Sequence, residues 1–152
     1  MTVEIKQLLS PGDVIIGLRA SDKRAVLRTL ARHMASTLDL SPEEVFDAVL
    51  KREELGSTGV GNGVALPHAR LSTVQQPVAV LARLKHPIAF DAIDGRPVDV
   101  VALVLLPADS QGIPLNALAC AARTLRDADV LSKVRRAADR DALYAALTAP
   151  AG

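Results

Sequence analysis

His68 is the residue around which chemistry can be built. It follows Pro67 directly, at the end of a short apolar run of Val64, Ala65 and Leu66. Just before that run, Gly56, Gly59, Gly61 and Gly63 supply four of the chain's nine glycines. Arg52 and Arg70 bracket the stretch. An imidazole with an ordinary pKa near 6.5 is largely neutral at pH 7 and can attack without a separate base. A guanidinium offers a fork of charged donors to phosphoryl oxygens. Glycine backbone lets N–H groups approach an anion closely. These parts predict a histidine that accepts a phosphoryl group: His68 as acceptor, Arg52 as stabiliser. Ser57, Thr58, Gly61, Asn62 and Gly63 are the expected phosphate-binding residues. The plain alternatives are a structural histidine satisfying a local hydrogen bond and a glycine run that only makes a turn.

Other chemistries find less support. Gly59, Val60, Gly61, Asn62 and Gly63 lack the Gly-Lys-Ser/Thr ending of a P-loop and do not fit the dinucleotide fingerprint. No cofactor, nucleotide or metal ion is therefore expected. His33 and His86 have no partner at metal-ligand spacing and read as structural or solvent-facing. Cys120 is alone, so it makes no internal disulfide or Cys-based zinc cluster and reads as a small core residue. No Gly-x-Ser-x-Gly elbow is present for acyl hydrolysis. Asp91, Asp94 and Asp99 read as turn and surface charges.

Composition bounds the setting. The chain has 152 residues, 49% of them hydrophobic, a net charge of +1 and only three aromatic residues. That balance gives no electrostatic case for nucleic acid and no stacking platform for single strands. The N-terminus lacks a signal pattern, and the longest apolar run, 100–106, is too short to span a bilayer. The expectation is a soluble, cytoplasmic protein with no membrane insertion, one domain over 1–152 with its core at about 5–148.

The elements that must position His68 follow from pattern. Val14, Ile15, Ile16 and Leu18 predict a strand. Ser21 is the expected cap of a helix carrying Val26, Leu27, Leu30, Ala31, Met34 and Leu38. Ser41, Pro42 and Glu44 open a second helix as a capping box, ending near Gly56 with Arg52 in its last turn. Val64 to Leu66 predict a short strand, with His68 just past its end. Further strands are expected over 78–84 and 98–106, the second central and covered on both faces, with a turn at Asp94 and Gly95 between them. Helices are expected over 115–125, 130–138 and 141–147.

The site residues resemble those of a known family. Glu53, then Val60-Gly61, then Val64-Ala65-Leu66-Pro67-His68-Ala69 follow the phosphohistidine signature of the enzyme IIA proteins of the bacterial phosphoenolpyruvate-dependent phosphotransferase system, fructose/mannitol class. Arg52 stands sixteen residues before His68, where that class carries its active-site arginine. Gly56 to Gly63 and Pro87 to Asp99 look like the nitrogen-regulatory branch. The resemblance implies an α/β fold with a mixed β-sheet and helices on both faces. It implies phosphoryl transfer to His68 from a phosphorylated HPr-like carrier (NPr), and regulatory target proteins that distinguish the two forms. No fused sugar-binding membrane domain or IIB domain is expected, which would suit a regulator. Two alternatives stay open: a regulatory binding module that is not phosphorylated, and a sugar-system IIA component serving a separate IIB chain. The chain departs from the family at one point. Pro114, in Pro114-Leu115-Asn116-Ala117-Leu118-Ala119, occupies the place of a second active-site histidine.

Overall fold

The computed structural model describes residues 4–108 and 113–149, without the side chains of 113–115. The chain runs α1 (Ile5–Leu8), a 3-10 turn (Pro11–Asp13), β1 (Val14–Leu18), α2 (Lys23–Leu38), α3 (Pro42–Leu55), β2 (Gly59–Gly61) and β3 (Val64–Ala65). It continues through β4 (His68–Leu71), β5 (Val78–Ile88), β6 (Val98–Pro107), α4 (Ile113–Arg126), α5 (Ala128–Arg136) and α6 (Arg140–Thr148). One sheet has the order β1-β5-β6-β3-β2, with β4 also paired to β6. It is mixed: β6 runs antiparallel to β5 and parallel to β3 and β4.

β6 is central because both its faces are apolar. Val101, Leu103 and Leu105 join a core with Val26, Leu27, Leu30, Met34, Val45, Phe46 and Val49 of α2 and α3. Val100, Ala102, Val104 and Leu106 point the other way, into a core with Ala117, Cys120, Leu125, Leu131, Val134 and Leu143 of α4, α5 and α6. The period of two along a strand sends alternate residues to opposite faces, so an unbroken apolar run needs helices on both. Leu103 is fully buried; truncating such a leucine to alanine costs about 2–5 kcal/mol.

Three local expectations change. The cap of α2 is Asp22, whose Oδ1 accepts from Ala25 N at 2.8 Å; Ser21 lies one residue too early to reach that amide. Segment 59–61, read as a loop, forms β2 against β3. His68 lies past the end of β3 as expected, but it does not leave the sheet: it opens β4, opposite Val104. Val64 faces Val100 in the same register, so β3 and β4 are one run along β6, broken at Leu66 and Pro67. Proline has no N–H to give, yet Pro67 O still accepts from Val104 N at 2.9 Å. At the break, Leu66 N turns away from β6 and donates to Thr58 O at 3.0 Å. α3 behaves as expected: Ser41 Oγ accepts from Glu44 N, Pro42 opens the helix and Gly56 follows its end.

Candidate functional site

His68 is half-buried at the start of β4. Its Nδ1 lies 2.9 Å from Leu66 O. A carbonyl can only accept, so the neutral ring carries its proton on Nδ1 and leaves the Nε2 lone pair unprotonated. Burial holds its pKa below the ordinary 6.5, because an imidazolium loses solvation there. The Leu66 hydrogen bond and Glu53 oppose that shift, while the Arg52 and Arg70 charges add to it. The result is an imidazole that is neutral at pH 7 with one defined nucleophilic nitrogen.

Arg52 sits in the last turn of α3, where its charge reaches His68. Its Nη1 donates to Gly56 O at 2.9 Å, closing the helix end. Among the described residues it makes no ion pair with a carboxylate. A guanidinium has five N–H donors, so the Gly56 bond leaves capacity for an anion.

Ser57 and Thr58 lie on the loop after α3, with their hydroxyl protons already given away. Ser57 Oγ donates to Phe90 O at 2.6 Å and accepts from Gly59 N at 3.1 Å. Thr58 Oγ1 donates to Glu53 Oε2 at 2.6 Å, and Thr58 N donates to Glu53 Oε1 at 3.0 Å. The expected donation from these hydroxyls to a phosphate is not available in this arrangement. Both residues shape the loop instead.

Gly61, Asn62 and Gly63 form a left-handed tip, with φ of 104°, 58° and 78°. Asn62 N donates to Asp94 Oδ2 at 3.1 Å, and Asn62 O accepts from Arg135 Nη2. Gly63 O accepts from Asp99 N and Val100 N. A Cβ at Gly63 would collide with Arg135 and Asp99. The tip therefore meets β6 at residues 99–100, whereas His68 meets it at Val104. At the usual strand rise, four residues are about 13 Å. The structure brings the Arg52 charge to His68 and links Thr58 to it through Leu66, and leaves Asn62 and Gly63 at the far end of the strand, as parts of a hairpin.

Sequence reasoning placed Glu53 in the signature of the resembled family without giving it a chemical role. Its side chain is only 3% exposed and also accepts from Lys23 Nζ at 2.8 Å. Lys23 stands 4.6 Å above the Phe90 ring and 3.8 Å from Asp91. One signal was present: an acidic residue in the last turn of a helix opposes the helix dipole, so it needs a specific partner. Asp94 and Asp99 also do more than decorate a turn. Asp94 accepts from Asn62 N and Arg96 N, which holds its carboxyl below the usual range. Asp99 pairs with Arg135 through both oxygens, at 3.1 and 2.8 Å.

The remaining candidates are structural. His33 Nε2 lies 2.8 Å from Asp13 Oδ1, His86 is exposed, and Cys120 is buried with its thiol pKa pushed up. Among the described residues no three His, Cys, Asp or Glu side chains come together as a metal site. No helix there is long and apolar enough to cross a membrane.

Comparison with known proteins identifies the family and the fold. Residues 7–149 match the family described as phosphoenolpyruvate-dependent sugar phosphotransferase system, EIIA 2. A nitrogen regulatory protein of Bradyrhizobium diazoefficiens is 39% identical over 146 residues, covering 96% of this chain and 95% of the relative. One from Pseudomonas aeruginosa is 37% identical over 143 residues, covering 93% of each. The crystal structure of nitrogen regulatory protein IIA-Ntr from Neisseria meningitidis superposes with a TM-score of 0.89 at 28% identity, over 95% of this chain and 99% of that one.

Proposed function

The chain belongs to the EIIA 2 family of the phosphoenolpyruvate-dependent phosphotransferase system, on its nitrogen-regulatory branch, and from that premise we propose that it carries a phosphoryl group on His68 and regulates target proteins through it. The observation that carries the reading is the 2.9 Å approach of His68 Nδ1 to Leu66 O. With Nδ1–H held by Leu66 O, Nε2 is the atom left to attack. The donor is a phosphohistidine on an HPr-like carrier. His68 Nε2 forms a bond to phosphorus as the carrier's N–P bond breaks, and that bonding pair returns to the carrier's ring nitrogen. The carrier ring, protonated on its other nitrogen, leaves as neutral imidazole. The His68 ring becomes phosphorylated at Nε2 and protonated at Nδ1, its positive charge resting against the Leu66 carbonyl. No proton has to move during the exchange.

Arg52 stabilises the transferring group. Phosphoryl transfer spreads charge over the equatorial oxygens, and catalysis is mostly positioning and electrostatics. The guanidinium at the end of α3 bears on His68 more strongly than Arg70, which adds positive potential from β4. Ser57 and Thr58 serve by holding the loop. The test is incubation with phosphoenolpyruvate, enzyme I and an HPr-like carrier, followed by intact mass. Addition of one phosphoryl group, acid-labile and base-stable, is expected. Its absence, or labelling of a His68→Ala variant, refutes the assignment.

A second reading, a binding module that is not phosphorylated, has one observation in its favour. Pro114 lies in the first turn of α4, where the resembled family carries a second imidazole. Proline offers neither donor nor titratable group. If the natural chain takes no label while Pro114→His does, the second reading holds.

A further inference from the structure

A continuous run of hydrogen bonds joins a buried carboxylate to the His68 ring. Glu53 accepts from both the amide and the hydroxyl of Thr58, at 3.0 and 2.6 Å. Thr58 O accepts from Leu66 N at 3.0 Å. Leu66 O faces His68 Nδ1 at 2.9 Å. Gly63 O and Pro67 O accept from β6, so Leu66 between them faces the other way, and its N–H meets Thr58 O as the β2–β3 pairing continues.

We propose that Glu53 is a positioning residue for phosphoryl transfer, acting through Thr58 and Leu66 to fix which nitrogen of His68 carries the proton and where Nε2 points. The proposal rests on the phosphocarrier reading above. It explains why a carboxylate is kept under the end of α3. Burial of a carboxylate is costly unless it is paired and fully hydrogen-bonded, and Glu53 is both, with Lys23 of α2 as its counter-ion. Lys23 in turn lies over Phe90, whose carbonyl accepts the Ser57 hydroxyl. Ile93 N donates to Gly59 O at 3.2 Å, tying the same loop from its other side. The loop is thus clamped by α2, α3 and the 90–93 segment together. A small shift of Thr58 would pass directly to Leu66 and rotate the imidazole. Misplacement of a reacting group by about 1 Å can cost on the order of 100-fold in rate.

Charge is a separate effect and can be separated by experiment. The charged groups that bear on His68 are Arg52 and Glu53 from α3 and Arg70 from β4. Glu53→Gln keeps an acceptor oxygen for Thr58 but removes the negative charge. It should therefore preserve the ring position while lowering the His68 pKa further. Glu53→Ala removes both.

The experiment compares wild type, Glu53→Gln, Glu53→Ala and Thr58→Val. Rapid-quench transfer from the phosphorylated HPr-like carrier gives the rate at saturating carrier and the carrier concentration at half-saturation. Nitrogen-15 NMR of the imidazole gives the tautomer and its titration. Glu53→Ala is expected to slow saturated transfer by about 10 to 100-fold, with half-saturation changed less than about 3-fold, and to mix the His68 tautomers. Glu53→Gln is expected to stay within about 3-fold of wild type and keep the Nδ1–H form. A folded Glu53→Ala with wild-type rate and tautomer overturns the proposal. So does a Glu53→Gln that fails as badly as Glu53→Ala. If Glu53→Ala does not fold, Thr58→Val, which removes the hydroxyl link to Glu53 and leaves only the amide one, weakens the relay and decides by the same readouts. If wild type accepts no phosphoryl group, the functional reading fails, and the tautomer comparison alone still tests the relay.

Discussion

The two ends of segment 56–63 are alike in composition and unlike in construction. At the first end, Thr58 is held from below by the buried Glu53, and its carbonyl reaches Leu66 beside His68. Arg52 caps Gly56 with one N–H and makes no ion pair among the described residues. At the second end, Asn62 is gripped by Arg135, which is itself neutralised by both oxygens of Asp99, and Gly63 is held by the Asp99 and Val100 amides. Each end has glycine, a polar side chain and an arginine. Only the first leaves an arginine without a carboxylate partner and close to a neutral imidazole. An arginine near a glycine turn is thus evidence for an anion site only when its charge has no internal partner.

The sharpest way to break this comparison is at the nucleophile. His68→Gln is expected to abolish phosphoryl uptake measured by intact mass. It should leave the unfolding midpoint nearly unchanged, because the ring makes one hydrogen bond worth about 1 kcal/mol. Uptake by that variant would move the acceptor elsewhere.

Arg52→Lys tests the free arginine. The charge remains but the fork is lost, and saturated transfer should slow by about 10 to 1000-fold. Unchanged transfer with a large fall in stability would make Arg52 a helix cap and nothing more.

The pH dependence sharpens the electrostatic half of the comparison. Only the unprotonated Nε2 can attack, and the His68 pKa lies below 6.5. Transfer should be flat through neutral pH and fall only as the solution is acidified through that lowered value. Arg70→Gln removes a charge that depresses the pKa, so the fall should begin at higher pH. Glu53→Gln removes a charge that raises it, so the fall should begin at lower pH. Initial rates against pH, with imidazole NMR, check both directions.

Linkage predicts the same sign for stability. The unfolded chain titrates near 6.5 and the folded one lower, so the unfolded state binds the proton first on acidification. His68 therefore makes the fold less stable below about 6.5, and His68→Gln should remove that part of the acid sensitivity in urea titrations at pH 5.5 and 7.5.

The smallest expected effect lies at the second end. Arg135→Ala removes a bidentate but partly exposed pair and should cost about 1 kcal/mol of stability, read from urea unfolding. Transfer should stay within about 3-fold. A tenfold loss of transfer would show that the two ends act as one unit.

Much of the molecule was legible because local patterns carry it. The unbroken apolar run of β6 demanded helices on both faces, and Val26 to Met34 on α2 had helical spacing. Ser41 and Pro42 announced the start of α3, and Gly56 its stop. His68 and Arg52 stood out because few jobs need a neutral imidazole and a fixed cation beside flexible backbone. The sequence could not say which glycine-segment residues share space with His68. That depends on where each meets β6, and residues five apart on an extended chain are about 16 Å apart. Nor could it say where the hydroxyl protons of Ser57 and Thr58 go, since Phe90 O is supplied from 33 residues away. Glu53 was an acidic position in a signature, with no partner to see, until the fold placed Lys23 over it from 30 residues earlier. Residue type and spacing determined which groups this chain has for chemistry; tertiary contact decided which of them are already spent on one another.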